Sequence, residues 1–369
     1  MAITNVMGFD DVVPRTDTDL LSIEGFPFKW TGNGNLTVFN DEVLGRHVLR
    51  TINTGWIDLG HLSALASDVF HQWKEMRTKW FIGCRFRSET IINSNNMDGS
   101  QTVLLFTRTD SMYSTHVSAF TPDELTYYTT TDRYVYLEVC LNWEENVIER
   151  WVDGYKLGNI DLPTSMVESE DFHIMFTVFS PSGTNSNRAT RWTDFYFMVD
   201  TSNVDNGTTP SQRLGGSFVR SVGVGNVVLT EGWGKTVESP PSNILNTDME
   251  RSTGSRLYPH LSTSIAENAS LFYYAVPSTG EAHRLGRGNI QFLQMLLNAH
   301  RYDGSTAQLY ATPIDLTGNE GDEVSLTMFV DDFNGRPIAH FNNPLTGGEW
   351  TPSLVANHGL EIYSRSGGV

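Results

Sequence analysis

The chain has 369 residues, and its 43 acidic against 25 basic side chains leave a formal charge of −18, a balance that nucleic-acid phosphates repel and that speaks against DNA or RNA binding. No apolar run approaches the roughly 18 residues that cross a bilayer. The opening MAITNVMGFDDVV lacks the basic and apolar regions of a signal peptide, so a soluble, cytosol-made protein with no membrane partner is expected, long enough for two domains.

Residues 1–25 read as an N-terminal arm. Short alternating runs follow at Phe26–Trp30, Leu36–Phe39, Arg46–Ile52 and Trp56–Leu59. Leu62, Leu65, Val69, Phe70 and Trp73 fall at helical spacing, which predicts a short inserted helix. Strands are predicted again at Trp80–Arg87, Thr102–Arg108, Tyr113–Phe120 and Leu125–Thr130. From Tyr134 to Gly158 the period is 2. Tyr134, Tyr136, Glu138 and Cys140 share one face and Val135, Leu137, Val139 and Leu141 the other. A partner strand sets Val147, Glu149 and Trp151 against Ile148, Arg150 and Val152, and Val152-Asp153-Gly154 closes a turn. Phe172–Ser180 and Trp192–Asp200 complete an all-β set suited to a sandwich.

Residues 201–213, TSNVDNGTTPSQR, have the polar composition of a linker, with a boundary near Asn206. Beyond it, Phe218–Val228, Ser270–Val276, Ala307–Ala311 and Val324–Asp331 read as strands. Ile290–Asn298 suits a helix or a strand. Residues 232–269 read as loop, and no tandem repeat is present.

Leu137, Val139, Leu141, Trp143, Val147, Trp151, Asp153 and Gly154, with the run from Trp192 to Val199, resemble the concanavalin-A-like or laminin-G-like jelly roll over about Gly25 to Asp200. Leu214-Gly215-Gly216-Ser217-Phe218-Val219-Arg220 and Asn343-Pro344, Thr346, Trp350-Thr351, Val355 and Gly359-Leu360 resemble a region that follows such sandwiches in tailed-bacteriophage virion proteins. Trp233 fits the middle of that region, whereas Asp248-Met249-Glu250-Arg251 and Leu257-Tyr258 match it loosely. The implied organisation is an arm at 1–25, a sandwich at 26–205, a linker at 206–213 and a smaller β-rich virion domain at 214–369. The resemblance implies a non-enzymatic component of the particle, on the tail or decorating the capsid. Such a component is made in the host cytoplasm and assembles with other virion proteins and with copies of itself, as a trimer or ring.

Catalysis finds little support in the residues. Glycosidases on this kind of sandwich use paired carboxylates in the spacing Glu-x-Asp-x-x-Glu. The nearest match is Glu320-Gly321-Asp322, where Ser325 takes the last place. Glu144 and Glu145 sit together at a hairpin turn. The ten histidines show no metal-binding spacing; His61 and His71 stand apart. No nucleophile elbow occurs, and Gly32/Gly34, Gly223/Gly225 and Gly286/Gly288 are lone G-x-G pairs. Asp110, Asp123, Asp132 and Asp194 are candidate calcium ligands at loop rims, set against ordinary solvated acids. Cys84 and Cys140 read as small buried hydrophobes. No catalytic, cofactor-binding or metal residue, and no cofactor, is assigned. The competing function is a host-glycan-binding adhesin on the virion surface, with a bacterial surface glycan as partner. Trp30, Trp56, Tyr113, Tyr127, Tyr128 and Tyr155 are its candidate stacking rings, each weighed against a place in the sandwich core. The sequons at Asn35, Asn206 and Asn268 carry no weight without secretion.

Overall fold

A computed structural model of the protein describes residues 4–9, 15–16, 29–32, 35–52, 55–58, 79–89, 103–109, 114–128, 131–164, 172–178, 189–199, 213–219, 226–231, 269–274, 290, 293–299, 307–326, 334–340 and 342–366. The chain divides into two compact units. One comprises Met1–Ser22 and Phe26–Val219; the other comprises Ile23–Gly25 and Arg220–Val369. The expected helix around Leu62–Trp73 and the expected loop at 232–269 lie outside the described residues, except Ala269, which opens a strand.

The first unit is an antiparallel sandwich of two sheets, in order β12-β11-β10-β7-β15-β5-β4-β2 and β3-β6-β14-β8-β9. Its strands are β1 (Thr4–Met7), β2 (Arg15–Thr16), β3 (Lys29–Gly32), β4 (Asn35–Asp41), β5 (Arg46–Ile52), β6 (Gly55–Asp58), β7 (Lys79–Ser88), β8 (Val103–Thr109), β9 (Ser114–Phe120), β10 (Val135–Asn142), β11 (Val147–Val152), β12 (Tyr155–Lys156), β13 (Ile160–Asp161), β14 (Phe172–Val178) and β15 (Ala189–Val199). β13 pairs with β11 beside the main path. Two strands of the expected arm are drawn into the chain's own sheet: β1 pairs with β15, and β2 with β4.

The period-2 pattern lands in register. Leu137 faces Cys84 and Val152 on its neighbouring strands, and Val139 faces Ile82 and Arg150. One face carries Trp80, Ile82, Phe86, Leu137, Val139, Trp192 and Phe197, all buried. Trp80 meets Trp143 edge-on at 5.3 Å and Phe197 at 5.8 Å, and Phe86 meets Trp192 at 4.7 Å. Such aromatic pairs add about 0.5–1.5 kcal/mol beyond the area they bury. Asp153 at φ 48° and Gly154 at φ 83° make the Asp-Gly turn into β12, the backbone form that matches strand twist in two-residue hairpins.

Cys84 and Cys140 are free and buried. Cys84 lies on the face of Trp80 and Cys140 on that of Glu138, so the sheet itself separates the two sulfurs. Burial, then the charge of Asp194, pushes the Cys84 thiol well above its ordinary pKa.

Leu125–Thr130, predicted as a strand, instead begins within a short helix, α1 (Pro122–Thr126). Thr121 caps it and Glu124 returns a bond to the cap, a reciprocal box that satisfies two orphan donors.

The second unit is also β-rich. β16 (Asn226–Glu231), β17 (Ala269–Tyr274), β19 (Ala307–Asp315), β20 (Val324–Leu326) and β22 (His358–Ser366) form an antiparallel sheet in the order β16-β17-β22-β19-β20. β18 (Leu293–Ala299) pairs separately with β21 (Asn334–His340). The ambiguous Ile290–Asn298 stretch is therefore largely strand. Phe218 and Val219, expected to open a strand, lie outside one and fall in the first unit. The second helix, α2 (Pro352–Asn357), is capped by Thr351, whose hydroxyl accepts from Leu354 N.

Candidate functional site

The second face of the ten-stranded sheet has the polar residues that alternation would send to water, yet it is largely buried. All eight residues of β10 are buried. On this face lie Arg46 and Arg50 of β5, Arg85 and Arg87 of β7, Glu138 of β10 and Arg191 of β15. A β-bulge between Thr193 and Tyr196 adds Asp194, at φ 53°. A bulge bends its strand and re-aims a side chain, and here that side chain is a carboxylate.

Two ion clusters result. In the first, Asp41 accepts from Arg191 at 2.5 Å and from Tyr134 Oη at 2.9 Å, and it stands 3.6 Å from Arg87. Glu89 takes Arg50 through both oxygens and Arg191 at 2.7 Å. Burial works against the Asp41 charge, but hydrogen bonds from Arg191, Leu44 N and Tyr134 outweigh it and hold the carboxyl below the usual range. Glu89 is held low in the same way by Arg50 and Arg191. Burial and the Asp41 charge push the Tyr134 phenol up.

The second cluster holds the segment 213–219. Glu138, 0% exposed, accepts from Arg213 at 2.6 Å, from Gly215 N at 2.8 Å and from Tyr196 Oη. Asp194, 1% exposed, accepts from Val219 N at 2.8 Å, and it forms ion pairs with Arg85, at 2.8 Å, and with Arg46. Those arginines also donate to the segment's backbone: Arg46 to Val219 O and Arg85 to Gly216 O, each at 2.9 Å. The Phe218 ring lies 4.0 Å from the Arg85 guanidinium. Gly83 makes room for the packed Tyr136 and Tyr196 rings, since a Cβ there would sit 2.7 Å from Tyr196 Cδ1 and 2.8 Å from Tyr136 Oη.

One end of this sheet is different in character. The β11–β12 turn exposes Tyr155 (71%), and Tyr127 (88%) follows α1. The chain bearing Tyr127 is pinned on both sides: Glu124 receives Arg150 at 2.8 Å, and Thr131 O receives Arg87 at 2.7 Å. Asp153 of the β11–β12 turn accepts from Tyr136 N at 2.8 Å and pairs with Arg133. Burial opposes the Glu124 charge, while Thr121 N and Arg150 prevail and lower its pKa. Two exposed tyrosines, Tyr127 and Tyr155, thus rise from braced segments of the sandwich.

The sequence candidates separate on this frame. Of the six proposed stacking rings, Tyr127 and Tyr155 are exposed and Tyr128 is partly so; the side chains of Trp30, Trp56 and Tyr113 lie outside the described ones. Asp194 is no loop-rim ligand, because arginines surround it. Asp123 and Asp132 are exposed, and Asp110 is outside the described residues. Among the described residues no three His, Cys, Asp or Glu gather as a metal group. Glu320 and Asp322 are exposed in the turn after β19, and Glu144 and Glu145 are exposed at the β10–β11 turn. Glu138 and Asp194 were missed as anchors. Their signal was an acid placed inside an otherwise apolar or aromatic strand.

No protein-family model and no curated protein matches the chain. Among solved structures, a peanut lectin with a 9mer peptide aligns at 8% identity and TM-score 0.31, over 55% of this chain and 99% of the lectin. The binding domain of Paraclostridial Mosquitocidal Protein 1 aligns at 9% identity and TM-score 0.29, over 46% of this chain and 44% of the other. A sialidase aligns at 9% identity and TM-score 0.26, over 46% of this chain and 17% of the sialidase.

Proposed function

We propose that the sandwich is a non-enzymatic recognition domain that binds a bacterial surface glycan at the end bearing Tyr127 and Tyr155. The observation that carries this reading is the exposure of those two rings on supports fixed by Arg150, Arg87 and Asp153. A phenol ring offers an apolar face with a wet hydroxyl tip, which suits a sugar ring and its hydroxyls. Asp41, Glu138 and Asp194 on the sheet face are held by arginines and do not stand as a facing acid–base pair.

A glycan array of bacterial surface polysaccharides, probed with the purified protein, tests it. Binding is expected, with a loss of about tenfold or more for Tyr127→Ala or Tyr155→Ala, worth about 1.4 kcal/mol. Melting temperatures should stay unchanged. Absence of binding, or binding indifferent to both substitutions, sinks the reading.

The setting proposed for this activity is a tailed-phage particle made in a bacterial cytoplasm, where the chain packs against other virion proteins and its own copies. Support comes from the motif residues of the second unit. Asn343 caps a turn by accepting from Leu345 N at 2.8 Å. Trp350 is buried 5.1 Å from His358, Thr351 caps α2, and Val355 and Leu360 are buried. The pattern that carries the virion resemblance is thus the framework of a folded corner. Mass spectrometry of separated heads and tails checks the setting; the chain's absence from both overturns it.

A further inference from the structure

The geometry points to a homotypic docking groove: the cleft lined by Arg46, Arg85, Glu138, Asp194 and Tyr196 takes the segment Arg213–Val219 from its own chain, and takes the same segment from a second copy when copies are crowded.

The groove is built as a peptide-binding site. Two carboxylates with almost no exposure each accept one backbone N–H of the segment, from Gly215 and Val219. Two arginines each donate to one of its carbonyls. Arg213 contributes the side-chain ion pair, and Leu214 N reaches Tyr196 Oη at 3.4 Å. Without the segment, Glu138 keeps Tyr196 Oη and Asp194 keeps Arg46 and Arg85, but Glu138 loses Arg213 and each carboxylate loses a backbone donor, so the groove favours an occupant. Nothing in these contacts requires that occupant to be covalently continuous with the groove.

The connection also permits exchange. Tyr196 of β15 touches Leu214, so the segment returns beside the strand it left at Val199. Residues 200–212 join the two points. Fully extended, that stretch reaches about 45 Å. Contacts in cis and in trans are the same, so effective concentration decides between them. A covalent tether of this length supplies roughly millimolar concentration, which favours the cis form about a thousandfold over micromolar free chains. Where copies stand side by side at comparable local concentration, that advantage disappears, and reciprocal exchange closes a symmetric assembly.

A charge-reversal pair tests the proposal with the full chain. Glu138→Arg and Arg213→Glu each break the ion pair within one chain, but mixing the two variants restores an opposite-charge match in both grooves of a heterodimer. After refolding together, light scattering should show the mass of two chains for the mixture and of one chain for each variant alone. A mixture that stays at single-chain mass overturns the proposal. Because an arginine at position 138 is a severe change, a second variant keeps the test sharp. Deletion of residues 202–211 shortens the tether and should raise the wild-type groove's self-association at least a hundredfold at micromolar protein. A shortened chain that remains single overturns the proposal equally, whether or not its segment stays docked.

Discussion

The two units manage acidic side chains in opposite ways. In the sandwich, Asp41, Glu89, Glu138 and Asp194 lie on a sheet face and are each held by arginine. In the second unit, Asp315 sits at the end of β19 and is held by neutral donors, Thr317 and Asn319, which draw its pKa down to about 2. Glu361 has no such help: burial, then the charge of Glu320, raises its pKa. The lesson concerns dependence. An acid that organises buried cations is hard to remove, and one that organises a surface turn is not.

The largest expected effect follows from that difference. Asp194→Ala strips the acceptor from Arg46, Arg85 and Val219 N, and a broken buried pair costs about 3–5 kcal/mol. Urea unfolding followed by tryptophan fluorescence checks it. A loss below about 1 kcal/mol would erase the contrast between the units. Asp315→Ala in the same assay should stay within the range of an ordinary surface change.

How far the sequence announced this contrast differs between face and backbone. The core face of β7, β10 and β15 was legible because aliphatic and aromatic residues recur every second position. The Asp153-Gly154 turn was legible because few residue pairs tolerate two positive φ angles. Burial of the opposite face was not legible. Glu138 and Arg85 look solvent-facing in any alternation count, and the return of residues 213–219 covers part of their face. That return pairs residues 75 apart in the chain, which no local pattern records. The two described helices, by contrast, carried a local signal that was passed over: Thr121-Pro122 and Thr351-Pro352 both place a capping hydroxyl before a proline suited to a first turn.

Gly83→Ala is the next expected effect. The added methyl meets the Tyr196 ring and Tyr136 Oη inside a packed face, and overpacking of that kind costs about 1–3 kcal/mol. Gly216→Ala is the control, since a Cβ there meets nothing within 4 Å. Equal melting temperatures for the two variants would show that the tyrosine pair yields freely.

Acid separates the units a third way. Asp41, Glu89 and Glu124 have folded-state pKa values below their unfolded ones. The unfolded chain therefore binds more protons in the acid range. The stability these groups add is complete above roughly pH 4.5 and drains as pH falls through the lowered values. In the second unit Asp315 shares the sign of the sandwich acids, but Glu361 opposes it: its raised value makes the folded unit gain as pH falls and lose as pH rises through that value. Calorimetry from pH 7 to pH 3 should show the sandwich transition dropping by several degrees while the second transition falls less. Parallel falls would refute the contrast.

The smallest expected effect is at Glu361 itself. Glu361→Gln removes its repulsion with Glu320 and should raise the second unit's stability at pH 7 by a few tenths of a kcal/mol, the scale of a partly screened surface pair. No change at pH 7, with none at pH 4, would place the two carboxyls out of each other's influence.

Cys84 and Cys140 point from neighbouring strands to opposite sides of one sheet. An aromatic disulfide reagent added to the intact protein has no thiolate within reach until β7 and β10 part. Its colour development is then a stopwatch for that separation: two equal steps if the faces open one after the other, a single doubled step if the sheet comes apart as a whole.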